Sequence, residues 1–493
     1  MGEKKILLIE PPFYRLIKST YALTRYPLSL GYLASAVRAH TDWDVLVYNA
    51  DFSPAADPFE INYMTGEGFS RYLENLHDPT AQIWREVREC ITEYAAPVVG
   101  ISAKSSTFAS ARVVAAIAKQ IDSRTIVVLG GPHPSALGAR ILSCPHIDVG
   151  VVGEGEMTLV DLLRSLDRGR SGRKWNPMEM QVDGSVVRGA GGTAASPKRE
   201  PISDLDSLGF PARLACDVLK DYDRYPKEAF RSVFATRGCP NNCLFCGSRN
   251  VWGRNVRFRS PRNVAMEIRG LQEMGLHHIH FDDDTFGVHA KYLSALCGEL
   301  TEQCPGLRWS CEIHVGLVSR ENISIMKRAG CRTIQLGIES GNDFILHENR
   351  KGYTIEEALR ACGIIREHGI ELETFFMAGL PQETEETLRD TLRAIEMVDC
   401  HKVVYSIFTP YPGTEAFDLC SEKGLVGSGH DPSMYYHQSP ANCFCGAMSP
   451  ALFRSIASRI EQVVDEKNRR GRDKRRKDSN DGADHQAHPH LHP

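Results

Sequence analysis

Two long runs of short β-rich segments alternating with amphipathic stretches constrain this chain more than any other feature. Alternation of this kind folds into parallel sheets covered by helices, with right-handed crossovers. The first run fills about 165 residues, with strands expected at Lys5–Glu10, Asp44–Ala50, Val98–Ala103, Thr125–Gly130 and Val149–Val152. Helices are expected between them at Leu28–Ala39, Thr80–Tyr94, Phe108–Gln120 and Met157–Leu166. The pattern predicts a doubly wound α/β sheet whose ligand sits beyond the carboxyl ends of the strands. The second run, Ser232 to about Pro410, has strand candidates Ser232–Thr236, His278–Asp282, Arg308–His314, Thr333–Ile338, Glu371–Ala378 and Val403–Thr409. They predict an open partial (β/α)6 barrel with its chemistry at the strand carboxyl ends.

Directly after the first strand of the second run stands Thr236-Arg237-Gly238-Cys239-Pro240-Asn241-Asn242-Cys243-Leu244-Phe245-Cys246. Three thiolates spaced CxxxCxxC hold three irons of a 4Fe-4S cluster and leave the fourth iron open to a small molecule, to which it delivers one electron. That pattern points to an enzyme. A zinc site normally takes four ligands, often as paired CxxC units, and the nearest extra candidates, Cys216 and His278, lack that spacing. Cys297, Cys311, Cys331 and Cys362 sit in apolar or helical stretches and read as buried thiols. Asp282-Asp283-Asp284 closes the next strand, and adjacent carboxylates need a cation, hydrogen-bond donors or water; magnesium is an alternative occupant. Glycine turns follow the later strands of the first run, Gly130-Gly131-Pro132-His133 and Gly153-Glu154-Gly155-Glu156. The absence of GxGxxG after the first strand argues against a dinucleotide site.

At 493 residues the chain is long enough for about three domains. A formal net charge of −4 gives no general nucleic-acid footprint. No apolar run is long enough to span a membrane and Met1 leads straight into the first strand, so a cytoplasmic protein is expected, with no membrane and no nucleic-acid partner. Fifteen cysteines, an odd count, also suit a reducing compartment.

The cysteine motif, with an aromatic Phe245 before its last cysteine, resembles the radical S-adenosylmethionine superfamily. Pro27-Leu28-Ser29-Leu30-Gly31-Tyr32-Leu33-Ala34 and the two glycine turns resemble the cobalamin-binding domain of its cobalamin-dependent members, the class that includes radical methyltransferases. The resemblance covers nearly the whole chain. It implies a Rossmann-like cobalamin-binding domain (1–166), a linker (167–230), a radical S-adenosylmethionine barrel (231–420), a C-terminal lid and helical region (421–466) and a disordered basic, His-rich tail (467–493). It implies three cofactors: a 4Fe-4S cluster on Cys239, Cys243 and Cys246, S-adenosylmethionine, and cobalamin.

By the same resemblance, S-adenosylmethionine contacts come from Phe245, Asp283, Asp284, Glu339, Ser340, Met377 and Gly379. Cobalamin contacts come from Ser102, Ser105, Ser106, Thr107, Gly130, Gly131, Gly153, Glu154 and Gly155, with His133 a turn or tail contact. DxHxxG, which supplies a lower cobalt ligand in many cobalamin proteins, is absent. Tyr405, Tyr411 and His314 are the candidate catalytic residues of the cavity.

In the linker, a small hairpin is expected within Met180–Val187 around Asp183-Gly184. Near the C-terminus Met434-Tyr435-Tyr436-His437 and the Cys443/Cys445 pair suggest part of a lid, and a helix is expected over 450–466. The implied activity is transfer of a methyl group from methylcobalamin to an unactivated carbon, or phosphorus, of a small metabolite or peptide in secondary-metabolite biosynthesis. A 5'-deoxyadenosyl radical would activate the substrate, and an external donor such as flavodoxin or ferredoxin would supply electrons. Oxidative cyclisation or ring rearrangement without methyl transfer is the alternative. A non-enzymatic corrin sensor or carrier is a second, disfavoured because the cysteines and strand-end motifs are all present. Transfer-RNA methylthiotransferases carry a further cysteine cluster in their first domain, where this chain has only Cys90 and Cys144.

Overall fold

The computed structural model describes residues 3–21, 24–54, 67–169, 182–189, 192–435, 439 and 442–480. In the first unit β1 (Lys5–Glu10), β2 (Asp44–Asn49), β3 (Val98–Ser102), β4 (Ile126–Gly130) and β5 (Val149–Val151) pair in parallel in the order β2-β1-β3-β4-β5. Ile6, Leu7, Leu8 and Ile9 are all buried, because a parallel sheet covered on both faces wants a continuous apolar run and not alternation. Helices Leu28–His40 and Glu156–Gly169 pack together, as do Gln82–Tyr94 and Phe108–Ile121. A helix at Glu67–His77, not anticipated, buries Tyr72 and Leu76, four residues apart.

The expected linker is not simply a connector. Two antiparallel strands, β6 (Ser185–Gly189) and β7 (Gly192–Ala195), extend the first sheet to seven strands in the order β2-β1-β3-β4-β5-β6-β7. The hairpin therefore does not turn at Asp183-Gly184. Gly184, at φ +80°, instead swings the chain into β6, and a Cβ there would meet Thr158 Oγ1 at 2.8 Å. Met180 and Gln181 lie outside the described residues.

The second sheet holds β8 (Ser232–Val233), β11 (His278–Phe281), β12 (Arg308–Ile313), β13 (Cys331–Glu339), β14 (Glu371–Ala378) and β15 (Lys402–Ile407), all parallel and in sequential order. Its two edge strands do not pair with each other, which makes it the expected open barrel. The first expected strand is divided: β8 stays in the sheet, while β9 (Thr236–Arg237) pairs antiparallel with β10 (Arg257–Phe258) and leads into the cysteine loop. Side-chain caps start several helices of this unit, including Ser260, Ser319, Asn342, Thr414 and the Thr354–Glu357 capping box.

The C-terminal helix runs Pro450–Asn480, through the basic tract expected to be disordered. Lysine and arginine are good helix formers, and the start of the tract is docked on the barrel. Lys467 Nζ donates to Ile395 O at 2.8 Å, and Asn468 bonds both the N–H and the C=O of Val403 at 2.8 Å. The His-rich residues 481–493, with Tyr436 and His437, lie outside the described residues. Among the described residues no helix is long and apolar enough to cross a membrane.

The two units share one apolar core, in which Phe52 stacks on Tyr225 at 3.6 Å and Tyr26 packs on Phe230. Arg112–Asp431 and Tyr72–Ser433 tie the C-terminal region back to the first unit.

Candidate functional site

The cysteine loop leaves β9 through Gly238, whose φ of +101° and close approach to Asn255 O, 2.6 Å from where a Cβ would stand, require glycine. Cys239, Cys243 and Cys246 are half-buried at the carboxyl end of the barrel, with Cys239 Sγ 3.5 Å from Thr285 Oγ1. Burial raises the Cys243 thiol and pushes Cys246 up to about 11, so holding these sulfurs as thiolates calls for a metal's positive charge. Among the described residues no three His, Cys, Asp or Glu converge on a point suited to a single metal ion; a 4Fe-4S cluster asks each cysteine for a different iron. Phe245 and Met377 pack against one apolar group that includes Leu244, Ile345, Leu380 and Phe408.

The three adjacent carboxylates have three different sets of partners. Asp283, 2% exposed, accepts from Ala235 N at 2.7 Å and Thr236 Oγ1 at 2.6 Å, and burial pushes it up to about 7. It braces the strand entering the cysteine loop and is spent on that backbone. Asp284 is exposed and accepts from Ser248 Oγ at 2.6 Å. Asp282 pairs across the unit boundary with Arg25 and lies 3.5 Å from His280. Burial opposes its ionisation, but Arg25, His280 and the Ser232 hydroxyl together outweigh it and hold it below the usual carboxylate range.

At the end of β13 Glu339 takes φ +72°, a strained setting for a non-glycine residue. Its Oε1 lies 3.2 Å from Nζ of Lys351, which is buried over the rings of Phe245 and Tyr353, each 5.7 Å away. Sequence reasoning missed Lys351, because Asn349-Arg350-Lys351-Gly352 reads as a surface turn. It also missed Glu312, pushed up to about 7 by burial and by Asp282, Glu339 and Asp284 nearby. Ser340 is fully buried against Thr391 Oγ1 at 3.2 Å. Gly379, at φ +98°, donates its N–H to Glu383 Oε2 at 2.6 Å, as Leu380 does at 3.0 Å.

The three candidate catalytic residues are not brought together as free groups. His314 accepts from Gly316 N on Nδ1 at 3.1 Å and meets Lys351 O at 3.0 Å through Nε2; burial lowers it to about 4, so the ring is neutral. Tyr405 packs among apolar side chains with its hydroxyl buried and without a hydrogen-bond partner, and Tyr411 is pushed up to about 12 by burial.

A cleft of about 280 Å³ opens at the carboxyl ends of β1 to β5. Ser102, Gly130, Gly131, Gly153 and Gly155 line it from the first unit, and Phe234, Arg237 and Trp252 close it from the second. Its floor, formed by Leu8, Val128 and Val151, is apolar. Gly131, at φ +107°, lies where a Cβ would be 2.8 Å from Ala103 O. Lys104 and Arg25 also line the cleft, and sequence reasoning missed both.

Ser105, Thr107 and His133 are used locally. His133 Nδ1 meets Ser105 Oγ at 3.1 Å, its ring packs on Phe108, and burial lowers it to about 4. Thr107 Oγ1 accepts from Lys104 N at 3.0 Å. Ser106 is half-buried in the same turn. Glu154 borders the cleft, but its carboxylate is already occupied: Ile202 N at 2.6 Å, Arg257 at 2.7 and 3.0 Å, and Arg237 at 3.4 Å. That leaves it no free acceptor for a cofactor amide.

The residues present fit the implied groups. Three half-buried thiols suit a cluster, the apolar phenyl and thioether beside them suit an adenosyl group, and the glycine-edged apolar cleft suits part of a flat corrinoid.

Family models match in the same places: the B12 binding domain over residues 14–163 and the Radical SAM superfamily over residues 233–395. An uncharacterized methyltransferase of Pyrococcus horikoshii is 29% identical over 430 residues, covering 86% of this chain and 85% of the relative. The cytidylyl-2-hydroxyethylphosphonate methyltransferase of Streptomyces wedmorensis is 24% identical, covering 86% of this chain and 83% of its own. An anaerobic magnesium-protoporphyrin IX monomethyl ester cyclase of Rubrivivax gelatinosus is 29% identical over 69% of this chain, which spans 61% of that enzyme.

Among solved structures, the cobalamin-dependent S-adenosylmethionine radical enzyme OxsB superposes with a TM-score of 0.67 at 18% identity, over 93% of this chain and 66% of its own. The radical S-adenosylmethionine methyltransferase TsrM of Kitasatospora setae superposes with a TM-score of 0.63 at 19% identity, over 86% of this chain and 77% of its own. With both domain models matched in order and the two units built as the sequence requires, this chain joins a B12 binding domain to a Radical SAM domain and is a radical S-adenosylmethionine enzyme, with a 4Fe-4S cluster, S-adenosylmethionine and cobalamin as its cofactors.

Proposed function

We propose that this enzyme is a methyltransferase acting on an unactivated carbon, or phosphorus, of a small metabolite or peptide. One observation carries the reading: the glycine turns of the first unit and the strand leading into the cysteine loop face each other across a single cleft. When bound, the cluster with S-adenosylmethionine supplies one-electron activation of the substrate, and cobalamin supplies the methyl group.

In this reading Cys239, Cys243 and Cys246 ligate the cluster, Phe245 and Met377 pack the adenosyl group, and Gly379 offers its backbone to the adenine. Asp284 faces the amino group of S-adenosylmethionine. Glu339, paired with Lys351, takes the ribose hydroxyls. Ser102, Gly130, Gly131 and Gly153 admit the corrinoid. Asp283 and Ser340 hold the backbone that presents these groups, and the apolar walls exclude water.

A cyclase reading draws support from the Rubrivivax relative. The test needs no knowledge of the substrate. Reduced holoenzyme given S-adenosylmethionine alone is expected to release a burst of S-adenosylhomocysteine, roughly one per bound cobalamin. Cleavage to 5'-deoxyadenosine without that burst moves the assignment to cyclisation or rearrangement.

A further inference from the structure

The Gly153-Glu154-Gly155-Glu156 turn does more than border the cofactor cleft. Arg237, two residues before Cys239, spans Glu154 and Glu156: its guanidinium lies 2.6 Å from Glu156 Oε1 and 3.4 Å from Glu154 Oε1. Arg257, on the strand paired with β9, grips both oxygens of Glu154 and also donates to Ile202 O at 2.6 Å. Ile202 N returns to Glu154 Oε2 at 2.6 Å, so the connecting segment is tied into the same knot. The Arg237 guanidinium is also held between the rings of Tyr32, at 5.0 Å, and Trp252, at 4.6 Å. The side chains of Arg237, Glu154 and Glu156 are only 3%, 3% and 5% exposed.

The four charges sum to zero, and each finds its partner across the boundary between the units. Burying four charges carries a large desolvation cost, which apolar residues of the same volume would avoid. The return is geometric. Paired guanidinium and carboxylate groups fix direction as well as distance, which an apolar contact does not. The strand they fix leads directly into the cluster-bearing loop, and the turn they hold edges the corrin cleft.

We propose that Glu154, Glu156, Arg237 and Arg257 form an ionic clamp that sets the position of the cluster loop relative to the bound cobalamin. They are positioning residues, acting through the loop and not on the reacting atoms. The proposal rests on the family's cofactors and not on methyl transfer, so it can be judged without a substrate.

The test compares wild-type holoenzyme with Glu156→Gln and Arg237→Lys, chosen because each keeps the side-chain size and some of the hydrogen bonds. Pulsed electron paramagnetic resonance reads the distance between cob(II)alamin and the reduced cluster. Iron and cobalt contents and melting temperature are measured on the same samples. The expected result is a narrow distance distribution in the wild type that broadens or moves in both variants while iron and cobalt stay near wild-type levels. The expected displacement is on the order of 1 Å, the scale at which misplacement spoils a reacting geometry. An unchanged distance distribution in both variants overturns the proposal. Loss of either cofactor together with a collapsed melting temperature in both would assign the charges to folding alone and overturn it too.

Discussion

Glu383 offers a sharp physical test, because its carboxyl is fully buried and still central to the turn proposed to hold adenine. One oxygen accepts from Gly379 N and Leu380 N, while the other, Oε1, is buried without a hydrogen-bond partner. Burial outweighs the two backbone donors and raises the group from its ordinary 4.5 to about 8. The folded state therefore keeps a proton that the unfolded chain has already released. Stability from this group is fully present below pH 4.5 and is lost as the pH rises toward 8, at about 1.4 kcal/mol per pH unit. The whole interval amounts to about 5 kcal/mol, and the accessible stretch from pH 6.5 to 8 to about 2 kcal/mol.

Glu383→Gln keeps an oxygen for Gly379 N and Leu380 N but cannot ionise. Its amide brings a pH-independent offset, since it too enters a place without a partner, so the readout is the slope and not the absolute stability. Melting curves recorded anaerobically at several pH values should show the wild type losing stability relative to the variant by about 2 kcal/mol between pH 6.5 and 8. For an unfolding unit the size of the barrel that is several degrees in Tm. Parallel wild-type and variant lines over that range would refute the reasoning.

Cys243→Ala should abolish the cluster, seen as lost iron and lost cleavage of S-adenosylmethionine; retained turnover would sink the cluster assignment. Asp283→Ala leaves Ala235 N and the Thr236 hydroxyl without their acceptor, which should cost about 1–3 kcal/mol for each buried group. Asp283→Asn should be milder because one oxygen remains, and melting temperatures with iron content will separate the two. Lys351→Met removes the cation from Glu339. With the cluster retained, affinity for S-adenosylmethionine should fall about tenfold or more, read from the ligand-induced change in the cluster's resonance spectrum. Wild-type affinity would remove Lys351 from the site.

Much of this architecture is legible in the sequence because parallel strands buried on both faces announce themselves as apolar runs, as Ile6–Ile9 do. The cysteine spacing is legible for the same kind of reason: its chemistry is local. What is not local is hidden. Nothing in the sequence tells which of Asp282, Asp283 and Asp284 stays exposed, since that depends on Thr236, Ser248 and Arg25, the last of them 257 residues from Asp282. Glu154 looks like a ligand-facing residue until Arg237, 83 residues on, is placed beside it. The basic tract at 467–477 looks like part of a disordered tail because charge count alone does not reveal the Ile395 and Val403 backbone groups that receive Lys467 and Asn468.

The central claim is that one chain brings a corrin and a cluster to the same cleft. Anaerobic reconstitution with iron, sulfide and cobalamin, followed by desalting, absorption spectroscopy and metal analysis, tests it most directly. About four irons and roughly one cobalt per chain are predicted. Iron retained with no cobalt would mean that the cleft beyond β1 to β5 serves another ligand, and the account of a cobalamin-dependent activity would fall with it.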